Sequence, residues 1–116
     1  MSIAFNGTDT MVLTFSGTPT MVDTPVVMGG SQMVKNGKDG VAPVGILRST
    51  RGDYSAIQVK GYARVKYNSA EALPLGWDYV VCDNNFGLRI AKPGETGRLC
   101  LVVEHDTTDH LAGVIL

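Results

Sequence analysis

Two imidazoles and two carboxylates fall within six residues, His105-Asp106-Thr107-Thr108-Asp109-His110, the densest polar cluster of the chain. Such side chains can hold a divalent cation. Their spacing fits no recognised ligand pattern, and neighbours in an extended loop point in opposite directions, so a solvated loop is expected. Cys82 and Cys100 are the only thiols. Nucleophilic use of either would need a base within about 3 Å and a lowered thiol pKa. Each sits in an apolar strand-like run, where a free Cys behaves as a small hydrophobe. Free thiols are the expectation and a cross-strand disulfide the other reading. Asp78 and Asp83 are possible paired carboxylates, but they flank one strand as turn residues do. The glycines, including Gly29-Gly30, precede no helix, so no phosphate-cradling loop is present. The residues point to no enzyme, no metal and no cofactor.

The elements that would position these groups are short strands. Residues 11–15 alternate, and Gly17-Thr18-Pro19-Thr20 reads as a turn. Residues 24–28 form a short strand that Pro25 places at a strand start or an edge, ended by Gly29-Gly30. Asn36-Gly37 and Asp39-Gly40 are hairpin-turn signals. Residues 41–47 follow as an edge or bulged strand, interrupted by Pro43 and Gly45. Residues 48–53 read as a polar loop, in which Arg51-Gly52-Asp53 matches an integrin-binding tripeptide but is more simply a turn.

Residues 56–67 give the longest strand signal. Ile57, Val59, Gly61, Ala63, Val65 and Tyr67 lie on one face, with Gln58, Lys60, Tyr62, Arg64 and Lys66 on the other. Gly61 and Ala63 suggest a bend or a close backbone approach. The wet face, with Lys60, Tyr62, Arg64 and Lys66, suits an acidic partner or is an ordinary solvated face.

Residues 69–73 are the one helix-like piece, capped by Ser69 and stopped by Pro74. Strands follow at residues 76–83, 88–91, 99–104 and 111–116, with a polar loop at 104–109. Trp77 either anchors a core end or, if exposed, marks an interface; the core position is expected. The fold class is therefore all-β: a small β-barrel or β-sandwich of short antiparallel strands, with at most one short helix near residues 69–73. Residues 1–10 form an extended N-terminal arm, with Ile3 and Phe5 as possible anchors, and residues 11–116 a single β domain. There is also an internal echo. The runs at residues 26–28, 45–47 and 57–59 are followed by similar runs at 80–82, 101–103 and 113–115. The echo reads either as a duplicated half with pseudo-twofold symmetry or as a likeness of composition.

At 116 residues the chain is one domain able to bury a core without staples. The formal net charge is −1 and no basic stripe is visible, which argues against nucleic acid. The low aromatic content argues against a base-stacking platform. No apolar run reaches the roughly 18 residues of a membrane span. The N-terminus lacks the features of a signal peptide, so synthesis in the cytoplasm is expected.

Several pieces, taken in order, resemble the capsid decoration (cement) proteins of tailed bacteriophages. They are Thr24-Pro25-Val26-Val27-Met28, Val41-Ala42-Pro43-Val44-Gly45-Ile46 and Val59-Lys60-Gly61-Tyr62-Ala63-Arg64-Val65. To these are added Leu75-Gly76-Trp77-Asp78-Tyr79-Val80 leading to Asp83 and Gly87, then Val102-Val103 and Val114-Ile115-Leu116. The match runs over about residues 20–116 and leaves out the N-terminal arm and the 105–110 loop. The resemblance implies a compact β body, often a homotrimer. Such a protein sits on the outside of the phage head, at junctions between major capsid proteins, as a structural virion protein made in the host cytoplasm. Ile3, Phe5, Lys60, Tyr62, Arg64 and Lys66 are the candidate contact residues. The alternative is a ligand- or glycan-binding β-module, which an exposed Trp77 and Tyr79 lining a cleft would favour, or another phage structural part from the tail or baseplate.

Overall fold

The computed structural model describes residues 10–67 and 73–116. The arm residues Ile3 and Phe5 lie outside the described residues. So does the expected helix near residues 69–73, except for Leu73, which is buried and belongs to no helix or strand. Among the described residues the fold is all-β. Its ten strands are β1 (Met11–Ser16), β2 (Pro25–Gly30), β3 (Met33–Asn36), β4 (Gly45–Arg51), β5 (Tyr54–Lys60), β6 (Tyr62–Lys66), β7 (Gly76–Cys82), β8 (Leu88–Ile90), β9 (Arg98–Asp106) and β10 (Leu111–Ile115).

The long run at residues 56–67 is not one strand. Gly61 adopts φ +104, a backbone conformation that side chains with a Cβ rarely tolerate. The chain turns there, so β5 finishes one sheet and β6 begins another. Gln58, expected on the wet face, is buried at this corner. Its amide nitrogen donates to the carbonyls of Lys60 (3.2 Å) and Tyr62 (2.9 Å), one on each side of Gly61. Its amide oxygen accepts from Arg48 Nε at 2.8 Å. A buried amide is retained only when its bonds are made, and these bonds hold the corner.

Other boundaries also move. Residues 48–51, read as loop, continue β4, because β5 supplies ladder partners as far as Arg51. Only Gly52 and Asp53 remain as the turn. β3 was hidden because Gln32 supplies the left-handed turn residue (φ 56) that a glycine usually fills. Gly29 and Gly30 lie within β2 rather than ending it, and β9 runs on to Asp106 through the expected polar loop.

The two halves of the chain repeat one topology. The first sheet is a closed barrel in the order β1-β3-β2-β4-β5, and the second runs β6-β10-β9-β7-β8. Replacing β1–β5 in turn by β6–β10 reproduces every antiparallel pairing. The closing contact repeats as well: a parallel bridge joins Ser16 to Met33 in the first half and Tyr67 to Leu88 in the second. In each half the fourth strand carries one bulge against the fifth, at Arg48 and at Val103. The inward residues lie on corresponding strands. Val26, Val34, Leu47 and Ile57 fill the first half, and Val80, Leu88, Val102 and Val114 belong to the core of the second; counted from the rungs to β2 and β7, the bulge of β9 lies two residues farther along than that of β4. The halves thus repeat in topology, but the echo in the sequence follows the ladders only in its first run, residues 26–28 against 80–82, and its other two runs are out of register. Ile46, on β4, is exceptional in joining the core cluster of the second half.

Gly61→Ala tests the corner. At Gly52 (φ +61, nothing near an added Cβ) an alanine should cost about 1 kcal/mol of strain, and at Gly61 at least about 2 kcal/mol. Urea midpoints of the two variants check the ranking; equal losses would mean that Gly61 does not constrain the corner.

Candidate interaction surfaces

Alternation along β6 points Ala63 and Val65 into the core and Tyr62, Arg64 and Lys66 outward. The outward side chains line an open groove of about 470 Å³, together with Met21, Val22, Asp23 and Arg48 of the first half. Lys60 lies beyond the Gly61 corner, exposed at the end of β5, and is not among the lining residues. The structure therefore unites three of the four predicted residues and separates the fourth.

The cationic character of this face is largely balanced. Gly113 of β10 stands between Arg64 and Glu104 in the ladder, and a Cβ there would lie 2.5 Å from Glu104 Cγ and 2.9 Å from the Tyr62 ring. Across that gap the Tyr62 hydroxyl donates to Glu104 Oε1. Arg64 stands 3.9 Å from Glu104 and 3.9 Å from Asp106. Burial, then the Glu104 contact, pushes the Tyr62 hydroxyl up to about 12. Lys66 makes no ion pair among the described residues.

A second surface is apolar. In the ladder between β7 and β9, Trp77 pairs with Leu101 and Tyr79 with Leu99, so alternation puts all four on one face. Trp77 is 66% exposed and Tyr79 55%. This corrects the expectation that Trp77 anchors the core: Val80 and Cys100 hold the inward positions, and the register turns Trp77 outward.

The remaining chemical candidates have structural roles. Cys82 and Cys100 are free and buried. Burial pushes the Cys82 thiol up to about 12 and raises Cys100 as well, so neither thiol is activated. Asp106 accepts hydrogen bonds from the backbone of Thr108 (2.9 Å) and Asp109 (3.2 Å), which builds the β9–β10 turn. His110 takes the left-handed conformation (φ 53) and sets its ring edge-on to Tyr67. Among the described residues no three His, Cys, Asp or Glu side chains are grouped to hold a metal. Asp83 accepts from the backbone of Asn85 and Gly87 and shapes the β7–β8 hairpin. Asp78 caps its neighbour, Tyr79. The Arg51-Gly52-Asp53 run is the tip of the β4–β5 hairpin. No helix among the described residues is long and apolar enough to cross a membrane.

One polar site gave no signal in the sequence. Arg89 on β8 is buried, with both terminal nitrogens on Glu95 at 2.7 Å and Nε on Asp39 at 3.1 Å. Asp39 belongs to the first half, so this fork latches the halves together. Arg98 adds to the junction by donating to the carbonyls of Val44 (3.0 Å) and Val59 (2.7 Å).

No protein-family model, curated protein or solved structure matches this chain.

The Arg89 fork and the Lys92 backbone hold the Glu95 carboxyl at about 2, below the value near 4.3 of a free Glu. The unfolded chain binds the proton first as pH falls, so the stability due to Glu95 is complete above about pH 4.3 and is lost on acidification towards about pH 2. Glu95→Gln removes that dependence. Urea titrations at pH 7, 4 and 3 should show the variant less stable at pH 7 and the gap to wild type narrowing on acidification. A gap independent of pH would refute the linkage.

Proposed function

We propose that the protein is a structural virion component: a decoration (cement) protein that binds the outer surface of a tailed-phage head at junctions between major capsid proteins and stabilises it. The observation that carries this reading is the groove between the halves, where exposed Met21 and Val22 lie beside Tyr62, Arg64 and Lys66. An open surface with apolar side chains and the cation of Lys66, which makes no ion pair among the described residues, suits a partly apolar segment of a neighbouring protein that carries an acidic group. The body that carries it is a plate of 40 × 34 × 22 Å, stitched at its corner by Gln58 and across its halves by Arg89. A rigid plate loses little freedom on docking, and repetition over a shell multiplies modest contacts into avidity. In this reading the partner is the major capsid protein, the protein acts as a homo-oligomer, a trimer by the resemblance, and its place is the capsid surface. Ile3 and Phe5 of the arm are the further candidate anchors in this reading.

A second reading is favoured by the exposed Trp77 and Tyr79, two residues apart on one face: such a pair offers flat rings on which sugar rings can stack. Glycan binding would then be the activity, and the groove an ordinary surface.

Co-sedimentation with phage heads stripped of decoration separates the two readings. Wild type should pellet with heads, Arg64→Glu with Lys66→Glu should lose at least about tenfold in affinity, and deleting residues 2–10 should weaken occupancy. Tyr54→Ala, at an exposed ring outside the groove, should leave head binding within about threefold if the groove is the contact. A wild-type chain that never pellets with heads, or a charge-reversed variant that binds as wild type, would overturn the proposal.

A further inference from the structure

The repeat allows each contact between the halves to be compared with its counterpart. The β2–β3 pairs Val26–Asn36, Val27–Lys35 and Met28–Val34 correspond row by row to Val80–Ile90, Val81–Arg89 and Cys82–Leu88. One row further, Pro25–Ile46 corresponds to Tyr79–Leu99.

The first half presents β4 and the segment at residues 37–41 to the second. Ile46 is 0% exposed and packs in the core cluster of the second half. Gly40 N donates to Cys82 O at 3.0 Å and Cys82 N to Val41 O at 2.8 Å, Asp39 takes Arg89, and Cys82 is 1% exposed. The counterparts of these covered residues are open. Leu99 is 48% exposed and Met28 45%, and Lys35, the counterpart of Arg89, is exposed without an ion pair among the described residues. A twofold contact would bury both members of each pair. Here one member is buried and the other bare, so at these positions the halves meet head to tail.

A head-to-tail contact between repeated units leaves one donor face and one acceptor face unused. The unused donor face is Leu99 with Tyr79, Trp77 and Leu101. The unused acceptor end is Met28 with Lys35 and the exposed Met33. Both expose large apolar side chains, as unfilled interfaces do. We propose that copies of this chain associate head to tail, the Trp77–Leu99 face of one copy seating on the Met28 end of the next, in the manner in which Ile46 and residues 37–41 already seat on the second half. The occupant of the apolar face is thus a second copy of the chain. This contact supplies the oligomer of the proposed function without depending on the shell, and it is tested on the purified chain alone.

The test is complementation of two surface variants, Leu99→Asp and Met28→Asp, read by light scattering during size exclusion. Wild type should form species larger than a monomer, with Kd below about 100 µM. Each variant alone should be at least about tenfold weaker, since each spoils one side of every contact. Mixed, they should give a one-to-one dimer and nothing larger, because Leu99→Asp keeps an intact Met28 end and Met28→Asp an intact Leu99 face. Unchanged melting temperatures establish that both variants fold; Leu99→Ser and Met28→Ser replace any that does not. A monomeric wild type, variants that assemble as wild type, or a mixture that stays monomeric would each overturn the proposal. Assembly lost with Leu99→Asp but untouched by Met28→Asp would point to a twofold contact instead and overturn it too. A failure here leaves the seating of each single copy on heads through the groove to its own test.

Discussion

A single corner governs this molecule. One extended run of residues serves two sheets, and it can do so only because the chain reverses its strand geometry at Gly61. The turn alone would leave β6 free to pivot. Gln58 prevents that by holding a carbonyl on each side of the glycine, and Arg48, itself on a bulge, fixes the amide of Gln58. Arg48 also reaches Asp23 at 2.7 Å, so the corner is tied to the loop before β2. The groove is a direct result: β6 leaves the corner with Tyr62, Arg64 and Lys66 facing the loop that carries Met21 and Val22. The buried Gln58 amide has its bonds made in this geometry, which helps to specify the corner.

The second tie between the halves is of the same character. Arg89, Arg98 and the backbone pairs around Cys82 are polar, directional contacts, whereas each half holds an apolar cluster, that of the second half taking in Ile46 of β4. The halves are therefore each stabilised by burial and oriented by hydrogen bonds. Strand closure serves the same end. A five-stranded sheet has two edges, and joining the first strand to the third removes them in the first half. In the second half one bridge, Tyr67 to Leu88, makes the corresponding contact.

The all-β class and most strands were legible in the sequence because period-two alternation and turn residues are local signals. Residues 76–82, 88–90 and 111–115 follow them closely. The misreadings share a cause: the deciding partner lies far along the chain. The polar residues 48–51 form a strand because β5 pairs with them, and Gln58 is buried because the corner needs its amide. Trp77 is exposed because the pairing of β7 with β9 gives the inward places to Val80 and Cys100. Of the candidate contact residues, Tyr62, Arg64 and Lys66 could be grouped from alternation alone. Lys60 could not be separated from them without knowing the angle at Gly61. The Arg89 fork joins residues from three segments, and a lone Arg in a short apolar strand gives no sign of it.

The repeat was nearly invisible in the sequence for a related reason. Core positions tolerate exchanges among apolar residues of similar volume, so Val34 against Leu88 preserves the packing while erasing the identity. At the junction the two copies face opposite demands. Cys82 is small and inert under the segment at residues 37–41, and Met28 at the same place in the first half stands in the open. Lys35 keeps a solvated charge, while Arg89 needs a planar fork to take Asp39 and Glu95 together. Ile46 packs in the core cluster of the second half, and Leu99 is half exposed. Difference at these positions is what a one-sided contact imposes on a repeated unit: each half has one side of the interface covered and the counterpart of the other side open.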